Sequence, residues 1–289
     1  MDLKHQLETD NFAILAEIEP PKGTDLSAMI TNTSKVKEEI TAFVIPEMSN
    51  AVMRMSSLGA AMVLQSKRME TVMQINCRDR NRIALQADLL AAAACGINNV
   101  MAVTGEDPSF GDHHQASAVY DININELLKT IQGLKKGKDM AGIELSGSPD
   151  FNVGSMVNSG LQGTALDQEI DAMKQKIDAG AGFFITPPLF DVSAIEPFMN
   201  KINTIDIHII PTVVLLKSLG MARYMARNMK NVYIPDELVK QIQKAPDKVR
   251  ECIHIARDTV SAIKKNRFSG AMISPIGWED KLYNIIHGI

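Results

Sequence analysis

The chain has few of the residues that mark a disulfide scaffold or a metal-cluster protein. Its 289 residues include three cysteines, Cys77, Cys95 and Cys252, which are widely spaced and form no Cys-x-x-Cys pair. This spacing argues against a zinc knuckle or an iron–sulfur centre built by this chain alone. Unpaired thiols are typical of a reducing compartment. We therefore expect a cytoplasmic protein without disulfides.

Long apolar runs and clusters of basic residues are also missing. No stretch reaches the roughly 18 apolar residues that a membrane span needs, and residues 1–6 contain no apolar signal region. The net charge is −4, and no cluster of lysine and arginine stands out. The sequence thus predicts no membrane span and argues against a nucleic-acid partner.

Aromatic residues are scarce, at 5% of the chain, whereas methionines number 17. Methionine is flexible and fills irregular gaps in a core, and it is also common on surfaces that bind partners. We interpret the methionines as core filling and as part of a partner-facing surface. On this basis we expect the chain to form oligomers.

Apolar runs typical of strands alternate with helical patterns along the chain. The predicted strands are 12–19, 42–47, 71–77, 99–104, 140–145, 182–186, 208–215 and 270–274. The predicted helices are 26–40, 52–66, 82–95, 126–135, 165–179, 193–202, a long helical region that ends at 265, and 279–287. This order is typical of an α/β protein with a parallel sheet.

Eight strands with crossover helices predict a (β/α)8 TIM barrel that forms a single domain over residues 1–289. An open, doubly wound parallel sheet is the alternative, but the count of eight and the polar residues after most strands favour the barrel. Residues 153–163 are rich in glycine, serine and asparagine and predict a mobile loop after the fifth strand. That loop is either a surface excursion or a lid beside the active site.

The first strand ends in the segment Glu17-Ile18-Glu19-Pro20-Pro21. The two prolines end strand pairing and fix an exit turn, so Glu17 lies at a stiff strand end beside apolar neighbours. A carboxyl group in such surroundings tends to keep its proton near neutral pH, as a general acid must. The alternative is a solvated acid at a strand terminus.

A second candidate segment follows the fourth strand. It begins with Thr104-Gly105-Glu106-Asp107 and continues through Pro108 and Gly111. Glycine lets the backbone pass close to a ligand, and two acids follow it at once. In β/α barrels the reacting groups lie on such loops, at the C-terminal ends of the strands. The alternative is an ordinary turn whose acids cap a helix.

The neighbouring residues Asp112, His113 and His114 raise the possibility of a metal site. Adjacent loop residues rarely reach one ion together, and no third cluster joins them, so we predict no metal site. The sequence also has no phosphate-binding glycine loop of the P-loop or dinucleotide type and no Gly-x-Ser-x-Gly elbow.

Other loops after strands add polar and aromatic candidates. Either Gln74 or Asn76 could face the barrel mouth, and residues 78–80 are expected to cap and flank the next helix. Thr186 with the prolines that follow it predicts a rigid rim after the sixth strand. Trp278, the single tryptophan, follows the eighth strand as a platform for a flat ligand or as core closure.

At these positions the chain resembles the methylenetetrahydrofolate reductase family, the flavin-dependent barrel enzymes of one-carbon metabolism. The match covers nearly the whole chain. It rests on Glu-x-x-Pro-Pro in the first strand, the Gly-acid pair after the fourth, Lys-Ile-Asp-Ala-Gly-Ala at 176–181, Phe-Asp at 190–191 and Asn-Val-Tyr-Ile-Pro at 231–235. Residues 51–56 and the Thr-Gly-acid-x-Pro-Ser-x-Gly-Asp loop are similar to the short, anaerobic branch of acetogens.

The resemblance implies a reduced flavin, FAD or FMN, that gives hydride from N5 to the one-carbon group of 5,10-methylenetetrahydrofolate or a related methylene-pterin, yielding the 5-methyl form. The five-membered ring of the substrate must first open to an iminium cation. The family's strand-one glutamate donates the proton for this step, and Glu17 matches it. Glu106 matches the acid that lies by flavin and pterin, where aspartate is usual, and Asp107 is the alternative.

The resemblance also implies the remaining binding residues. Gln74 stands where many members have histidine, and Thr104 where they often have arginine. Lys176 would suit a flavin phosphate. The full set of implied flavin contacts is Gln74, Thr104, Gly105, Glu106, Asp107, Tyr120, Glu169 and Lys176. Glu17, Glu106, Thr186 and Trp278 are the implied substrate contacts.

Three positions depart from the family pattern. Pro187 replaces a glutamine that reads the pterin, and Met221 and Trp278 stand where well-known members carry polar folate contacts. The identity of the pterin therefore stays open. So does the electron donor, which is NADH or a metal–sulfur partner subunit. The alternative function is a flavin-free barrel that binds a methyl-pterin as a methyltransferase module, or a non-catalytic subunit of a one-carbon complex.

Overall fold

A computed structural model describes residues 2–202, 207–229, 231–266 and 268–287. Its strands are β1 (Ala13–Glu17), β2 (Ala42–Ile45), β3 (Thr71–Asn76), β4 (Asn99–Val103), β5 (Asn152–Met156), β6 (Phe183–Pro188), β7 (His208–Val214) and β8 (Gly270–Ser274). Its helices are α1 (Leu3–Glu8), α2 (Ser27–Ser34), α3 (Ser57–Ser66), α4 (Arg82–Ala94), α5 (Ile124–Lys135), α6 (Gly163–Asp178), α7 (Glu196–Met199), α8 (Leu219–Asn228), α9 (Asp236–Lys244), α10 (Lys248–Lys265) and α11 (Leu282–Ile286).

The strands pair in sequence order, all parallel, and β8 closes the sheet by pairing with β1. Ala13 faces Gly270 in that closing register. An added Cβ on Gly270 would lie 2.4 Å from the carbonyl oxygen of Ala13, so the closure needs glycine there. The predicted (β/α)8 barrel is confirmed, and the open doubly wound sheet is excluded. That residues 1–289 form one domain stays a prediction.

Two apolar clusters hold the barrel together. The larger one packs the outer strand faces against the helices. The smaller one fills the barrel with alternate strand residues such as Leu15, Val44 and Ile185. Leu3 and Leu7 of α1 belong to this inner cluster, and both are buried. Helix α1 therefore packs against the N-terminal end of the barrel, opposite the strand ends that carry the candidate residues.

The fifth strand is not where the sequence predicted it. Residues 152–156 form β5 between β4 and β6, and all but the first of them lie in the segment predicted as a mobile loop. The glycine that suggested a loop is needed for packing, because an added Cβ on Gly154 would lie 2.2 Å from the ring of Phe183. The residual loop is short, since α6 already begins at Gly163. The prediction of a loop over 153–163 was thus wrong for its first part.

The segment predicted as the fifth strand, 140–145, is a turn outside the barrel. Asp139 accepts hydrogen bonds from the backbone N–H groups of Ala141 and Ile143, which fixes the turn. An isolated antiparallel bridge joins Lys138 to Glu144. Ile143 is 65% exposed. Most of the apolar residues that suggested a strand therefore lie on the surface, whereas Leu145 packs against the outer apolar cluster.

Several helices are shorter than predicted. The helix predicted over 26–40 ends at Ser34, and the one over 52–66 begins at Ser57, whose preceding Ser56 caps it. The region 193–202 forms a 3-10 turn over Val192–Ile195 followed by α7. The long helical region after β7 divides into α8, α9 and α10.

Candidate active site

The candidate site is the barrel mouth, defined here as the C-terminal ends of β1–β8 and the loops that follow them. On its β1–β8 side lies Glu17, the last residue of β1, whose side chain is partly buried. The hydroxyl of Ser274, the last residue of β8, donates a 2.7 Å hydrogen bond to Oε1 of Glu17. The closing strand pair thus holds this carboxyl group at the mouth.

Burial raises the pKa of Glu17 above its ordinary value, although the hydrogen bond from Ser274 opposes the rise. The nearby carboxylates of Glu19 and Glu279 raise it further. The charged partner of Glu19 is Arg54, at 2.8 Å, and that pair lies on the same side of the mouth. Since a raised pKa lets Glu17 keep its proton to a higher pH than an ordinary carboxyl group does, it has the chemistry that a general acid needs.

The loop after β4 presents its acids on the opposite side of the mouth. Gly105 has φ +86°, a left-handed conformation that glycine adopts without strain. Thr104 and Glu106 on either side are exposed. The carboxylate of Asp107 accepts a 2.8 Å hydrogen bond from the N–H of Ser109, so it caps the 3-10 turn over Pro108–Phe110. Glu106 is thus freer than Asp107 to meet a ligand.

Tyr120 joins this loop from a distance in sequence. Its hydroxyl donates a 3.0 Å hydrogen bond to the carbonyl oxygen of Gly105, and its side chain is 42% exposed. The structure therefore brings together Thr104, Gly105, Glu106 and Tyr120, four residues that the resemblance implies as flavin contacts.

Arg78 is a residue whose place the sequence did not reveal. It is 2% exposed and forms a two-point ion pair with Asp79, while its Nη1 donates to the carbonyl oxygen of Glu106. The expectation that residues 78–80 cap the next helix was wrong, because Asn81 caps α4. The sequence Arg-Asp-Arg resembles an exposed charged turn, and the contact that buries it comes from residues about 30 positions away.

Burial by itself raises the pKa of Asp79, but hydrogen bonds from Arg78 and Asn76 and the charges of Arg78 and Arg80 lower it on balance. A second buried pair lies beside it, with Arg80 donating at 2.9 Å to Glu47. These pairs form a charge-compensated layer under the β2–β4 side of the mouth. Each of these two carboxylates, Asp79 and Glu47, therefore has an arginine as its partner.

Gln74 and Asn76 have different surroundings on β3. The side-chain oxygen of Gln74 accepts a 3.3 Å hydrogen bond from the N–H of Glu47, and the residue keeps some exposure at the mouth. Asn76 is fully buried and donates to Asp79. Of the two candidates, Gln74 is the one that a ligand can reach.

Lys176 and Glu169 of α6 lie beside the end of β5. The ammonium of Lys176 donates at 2.7 Å to the carbonyl oxygen of Met156 and lies 4.0 Å from Glu169. Glu169 in turn accepts from the N–H of Asn158. Burial lowers the pKa of Lys176, and the charge of Glu169 opposes this. Met156, whose carbonyl oxygen accepts from Lys176, is itself exposed.

Thr186 is buried, at 1% exposure, and its hydroxyl donates to the carbonyl oxygen of Pro187. The register between β6 and β7 shifts immediately after Ile185, which sets the two prolines at the rim. Pro187 lines a cleft of about 380 Å³. Its walls combine apolar and amide side chains, from Ser159, Gly160, Gln162, Pro187, Pro188, Leu189, Ala194, Ile195, Asn231, Val232 and Tyr233.

Trp278 is partly buried and packs against the outer apolar cluster. The ammonium of Lys217 lies 5.6 Å from its ring centroid. Met221 is also partly buried, and its sulfur accepts from the N–H of Lys217. Trp278 thus packs against the core on one side, and its exposed part lies at the rim of the mouth.

Asp112 connects three loops of the mouth. Its carboxylate accepts from the N–H of Met53 at 2.9 Å, contacts His113 and pairs with Lys22. Hydrogen bonds from Lys22 and His113 lower its pKa. Within residues 2–202, 207–229, 231–266 and 268–287, no three His, Cys, Asp or Glu side chains are arranged to hold a metal ion.

The donor set of the mouth fits a flavin. A glycine with exposed neighbours, a tyrosine and a glutamine lie at the ends of β3 and β4, and a lysine lies by β5. Exposed apolar surface is available on Tyr120 and Met156. Large heterocycles bind where a few placed polar groups adjoin apolar surface.

The family model of methylenetetrahydrofolate reductase matches residues 2–286. The chain belongs to the methylenetetrahydrofolate reductase family. A curated relative, methylenetetrahydrofolate reductase 2 of Schizosaccharomyces pombe, is 25% identical over 258 residues, covering 86% of this chain and 40% of that protein. A probable methylenetetrahydrofolate reductase (NADH) of Oryza sativa subsp. japonica is 27% identical over 139 residues, covering 48% and 23%. The chain thus spans less than half the length of these relatives.

Solved structures share the fold of this family member. A Clostridium thermocellum protein that binds two copies of 5-methyl-5,6,7,8-tetrahydrofolic acid superposes with a TM-score of 0.66 at 14% identity, over 99% of this chain and 96% of that one. EDTA monooxygenase from Chelativorans sp. BNC1 gives 0.55 at 12% identity, over 96% and 93%. At these identities the likeness extends to the fold alone.

None of the helices in the part of the chain that the structure describes combines the length and the apolar character that crossing a membrane requires.

Proposed function

We propose that this chain is a flavin-dependent reductase that converts 5,10-methylenetetrahydrofolate, or a related methylene-pterin, to its 5-methyl form. The observation that carries the proposal is Glu17, a carboxyl group with a raised pKa at the barrel mouth, held by Ser274. The family membership of residues 2–286 supports the reaction type.

Glu17 would act as the general acid. Because Ser274 donates to Oε1, the transferable proton is carried by Oε2. Delivery of that proton to the leaving ring nitrogen opens the five-membered ring of the substrate to an iminium cation. Ser274 then stabilises the carboxylate that remains, since its hydrogen bond favours the charged form.

A bound flavin, FAD or FMN, would supply hydride from N5. Gln74, Thr104, Gly105 and Tyr120 would hold its ring system at the ends of β3 and β4. Lys176, with Glu169 beside it, would place positive charge near a phosphate. Glu106 is the acid that faces ligand in this arrangement, and Asp107 supports its loop from below.

The substrate would lie on the β6–β8 side of the mouth, against Pro187 and Trp278. The sequence-based expectation that Thr186 contacts substrate is revised, because Thr186 is 1% exposed and its hydroxyl bonds to Pro187, so it would support this rim from behind. A proline side chain cannot donate or accept a hydrogen bond, so contact there is apolar. The Clostridium thermocellum barrel binds a methylated tetrahydrofolate, and we extend this pterin class to the present chain. We further propose NADH or a metal–sulfur partner subunit as electron donor, an oligomeric state, and a cytoplasmic location.

A half-reaction experiment tests the role of Glu17. The purified protein is reconstituted with FAD or FMN, reduced with dithionite under anaerobic conditions and mixed with 5,10-methylenetetrahydrofolate, while flavin absorbance is followed. Glu17→Gln should be reduced normally and should not be reoxidised by the methylene carrier. Glu237→Gln, a change to an exposed carboxylate of α9, is the matched control. Loss of both half-reactions, or of neither, would contradict the assignment.

The alternative function is a flavin-free barrel that binds a methyl-pterin, as a methyltransferase module or a non-catalytic subunit of a one-carbon complex. A visible spectrum of the purified protein, with mass identification of any released chromophore, separates it from the reductase. A colourless protein that takes up neither FAD nor FMN would favour the alternative.

A further inference from the structure

The guanidinium of Arg78 lies at the junction of three mouth loops. Its Nε and Nη2 donate to the two carboxylate oxygens of Asp79 at 2.6 and 2.7 Å. Its Nη1 donates to the carbonyl oxygen of Glu106 at 3.2 Å, and Nη2 also donates to that of Met48 at 3.4 Å. The loops after β2, β3 and β4 therefore share one cation.

This cation is held firmly on the β3 side. Asn76 donates to Asp79 at 2.8 Å and accepts from its backbone N–H at 3.1 Å, so the carboxylate that orients Arg78 is itself oriented. A buried charge is tolerated only when it is paired and hydrogen-bonded. Lysine cannot reproduce the planar two-point contact, since its ammonium is a point charge.

Arg78 contacts the residues of the β4 loop at close range. An added Cβ on Gly105 would lie 2.8 Å from the Cβ of Arg78, so the glycine backbone packs directly on the arginine stem. The carbonyl oxygen of Arg78 accepts from the N–H of Val119 at 2.7 Å, and Tyr120 bonds to Gly105. The carboxylate of Glu106 lies 3.7 Å from Nη1.

We propose that Arg78 is a positioning residue that fixes Gly105, Glu106 and Tyr120 in the arrangement that binds flavin. The inference rests on the proposed function for the identity of that ligand. Arg78 is 2% exposed and so does not meet the ligand itself. Arg78 acts through the β4 loop. The loop requires the planar guanidinium group with its several N–H donors, and a positive charge alone is not enough.

The test compares Arg78→Lys and Arg78→Met with Arg250→Met, which removes an exposed arginine of α10. Flavin dissociation constants come from fluorescence quenching, and midpoint potentials from dye-coupled titration of the holoprotein. Hydrogen bonds that involve a charged group contribute more to stability than neutral ones, so their loss should weaken flavin binding measurably. We expect the flavin dissociation constant to rise about tenfold in Arg78→Lys and about 100-fold in Arg78→Met. Arg250→Met should bind as the wild type does.

A double-mutant cycle with Glu106→Ala separates positioning from general destabilisation. If Arg78 acts by holding Glu106, then Arg78→Lys should weaken flavin binding much less in the Glu106→Ala background than in the wild type. Additive effects would overturn the inference. So would wild-type affinity and potential in Arg78→Lys.

A measurement without flavin keeps the two proposals apart. The N–H groups of Phe110 and Gly111 donate to the carbonyl oxygens of Asp107 and Pro108 in the β4 loop. Hydrogen exchange of these two amides in the flavin-free protein should be about tenfold faster in Arg78→Lys than in wild type, because the loop loses its anchor. Unchanged exchange would overturn the inference whatever the ligand. Failure of the wild-type protein to bind FAD or FMN would overturn the proposed function instead.

Discussion

The two sides of the barrel mouth hold their carboxyl groups in opposite ways. On the β1–β8 side, Glu17 is partly buried with a neutral hydroxyl as its hydrogen-bond donor, and its pKa is raised. On the β2–β4 side, Asp79 is paired with the buried Arg78, and its pKa is lowered although its side chain is largely shielded from solvent. Burial alone therefore does not make an acid. The direction of the pKa shift depends on whether a cation lies beside the carboxylate.

Under the proposed function, this difference separates a carboxyl group that takes part in the chemistry, Glu17, from one that supports the structure, Asp79. A neutral partner leaves the proton of Glu17 transferable, at some cost in solvation. A cationic partner fixes Asp79 as an anion and turns it into a scaffold for the β4 loop. Four experiments test this contrast between Glu17 and Asp79.

The largest effect is expected for the rate of Glu17→Gln. Loss of a general acid typically slows the chemical step by about 10² to 10⁴. Stopped-flow reoxidation of the reduced flavoprotein by the methylene substrate measures this step directly. A variant that reoxidises within threefold of the wild type would place the transferable proton elsewhere.

Asp79→Asn should act on stability instead. It leaves the guanidinium of Arg78 buried without its carboxylate, which should lower the free energy of unfolding by about 3 kcal/mol. Asp121→Asn is the matched control, since the Arg82–Asp121 pair is the same chemistry on an exposed surface and should change stability by less than about 1 kcal/mol. Urea unfolding followed by circular dichroism compares them. Equal losses in both variants would show that the buried pair has no special role.

Ser274→Ala should have a moderate effect on the acid. The hydroxyl opposes the upward shift of the Glu17 pKa, so its removal should move the alkaline limb of the pH–rate profile to higher pH. Loss of one hydrogen bond of about 1 kcal/mol should also slow the proton transfer about fivefold. Ser274→Thr retains the hydroxyl and should keep both the position of the alkaline limb and the rate of proton transfer close to wild type. An unmoved limb would mean that Ser274 does not govern Glu17.

The smallest effect concerns stability against pH. A carboxyl group whose folded-state pKa is raised stabilises the fold at pH values below its unfolded-state pKa, and this contribution is lost as the pH rises through the folded value. Glu17→Gln lacks this titration. Thermal melts between pH 5 and pH 9 should therefore show wild type losing stability relative to Glu17→Gln as the pH rises. A constant difference would contradict the raised pKa.

Local sequence patterns were enough to predict most of the barrel, because seven of its strands are apolar runs bounded by turns. It failed at β5, where the packing of Phe183 demands Gly154, and glycine in isolation indicates a loop. It also failed at 140–145, where four apolar residues belong to a turn fixed by the side chain of Asp139. The first error arises from a tertiary contact that no local window contains. The second arises because hydrogen bonds from neighbouring N–H groups to one aspartate outweigh the apolar content of a short segment.

The candidate site divides in the same way. Glu17 and Gly105 could be found because a strand end and a glycine are local signals. Arg78 could not, since its burial depends on carbonyl groups of Met48 and Glu106, about 30 residues away on either side. Nor could the contact of Tyr120 with Gly105, which a long loop brings about.

Helix α1 has a consequence for the order of events during turnover. Leu3 and Leu7 plug the far end of the barrel, so over the described residues every reactant must enter and leave by the same opening. If the electron donor and the methylene-pterin substrate need the same face of the flavin, they cannot be bound at the same time and must bind one after the other. We expect double-reciprocal plots of parallel lines, with each reactant inhibiting competitively against the other at high concentration.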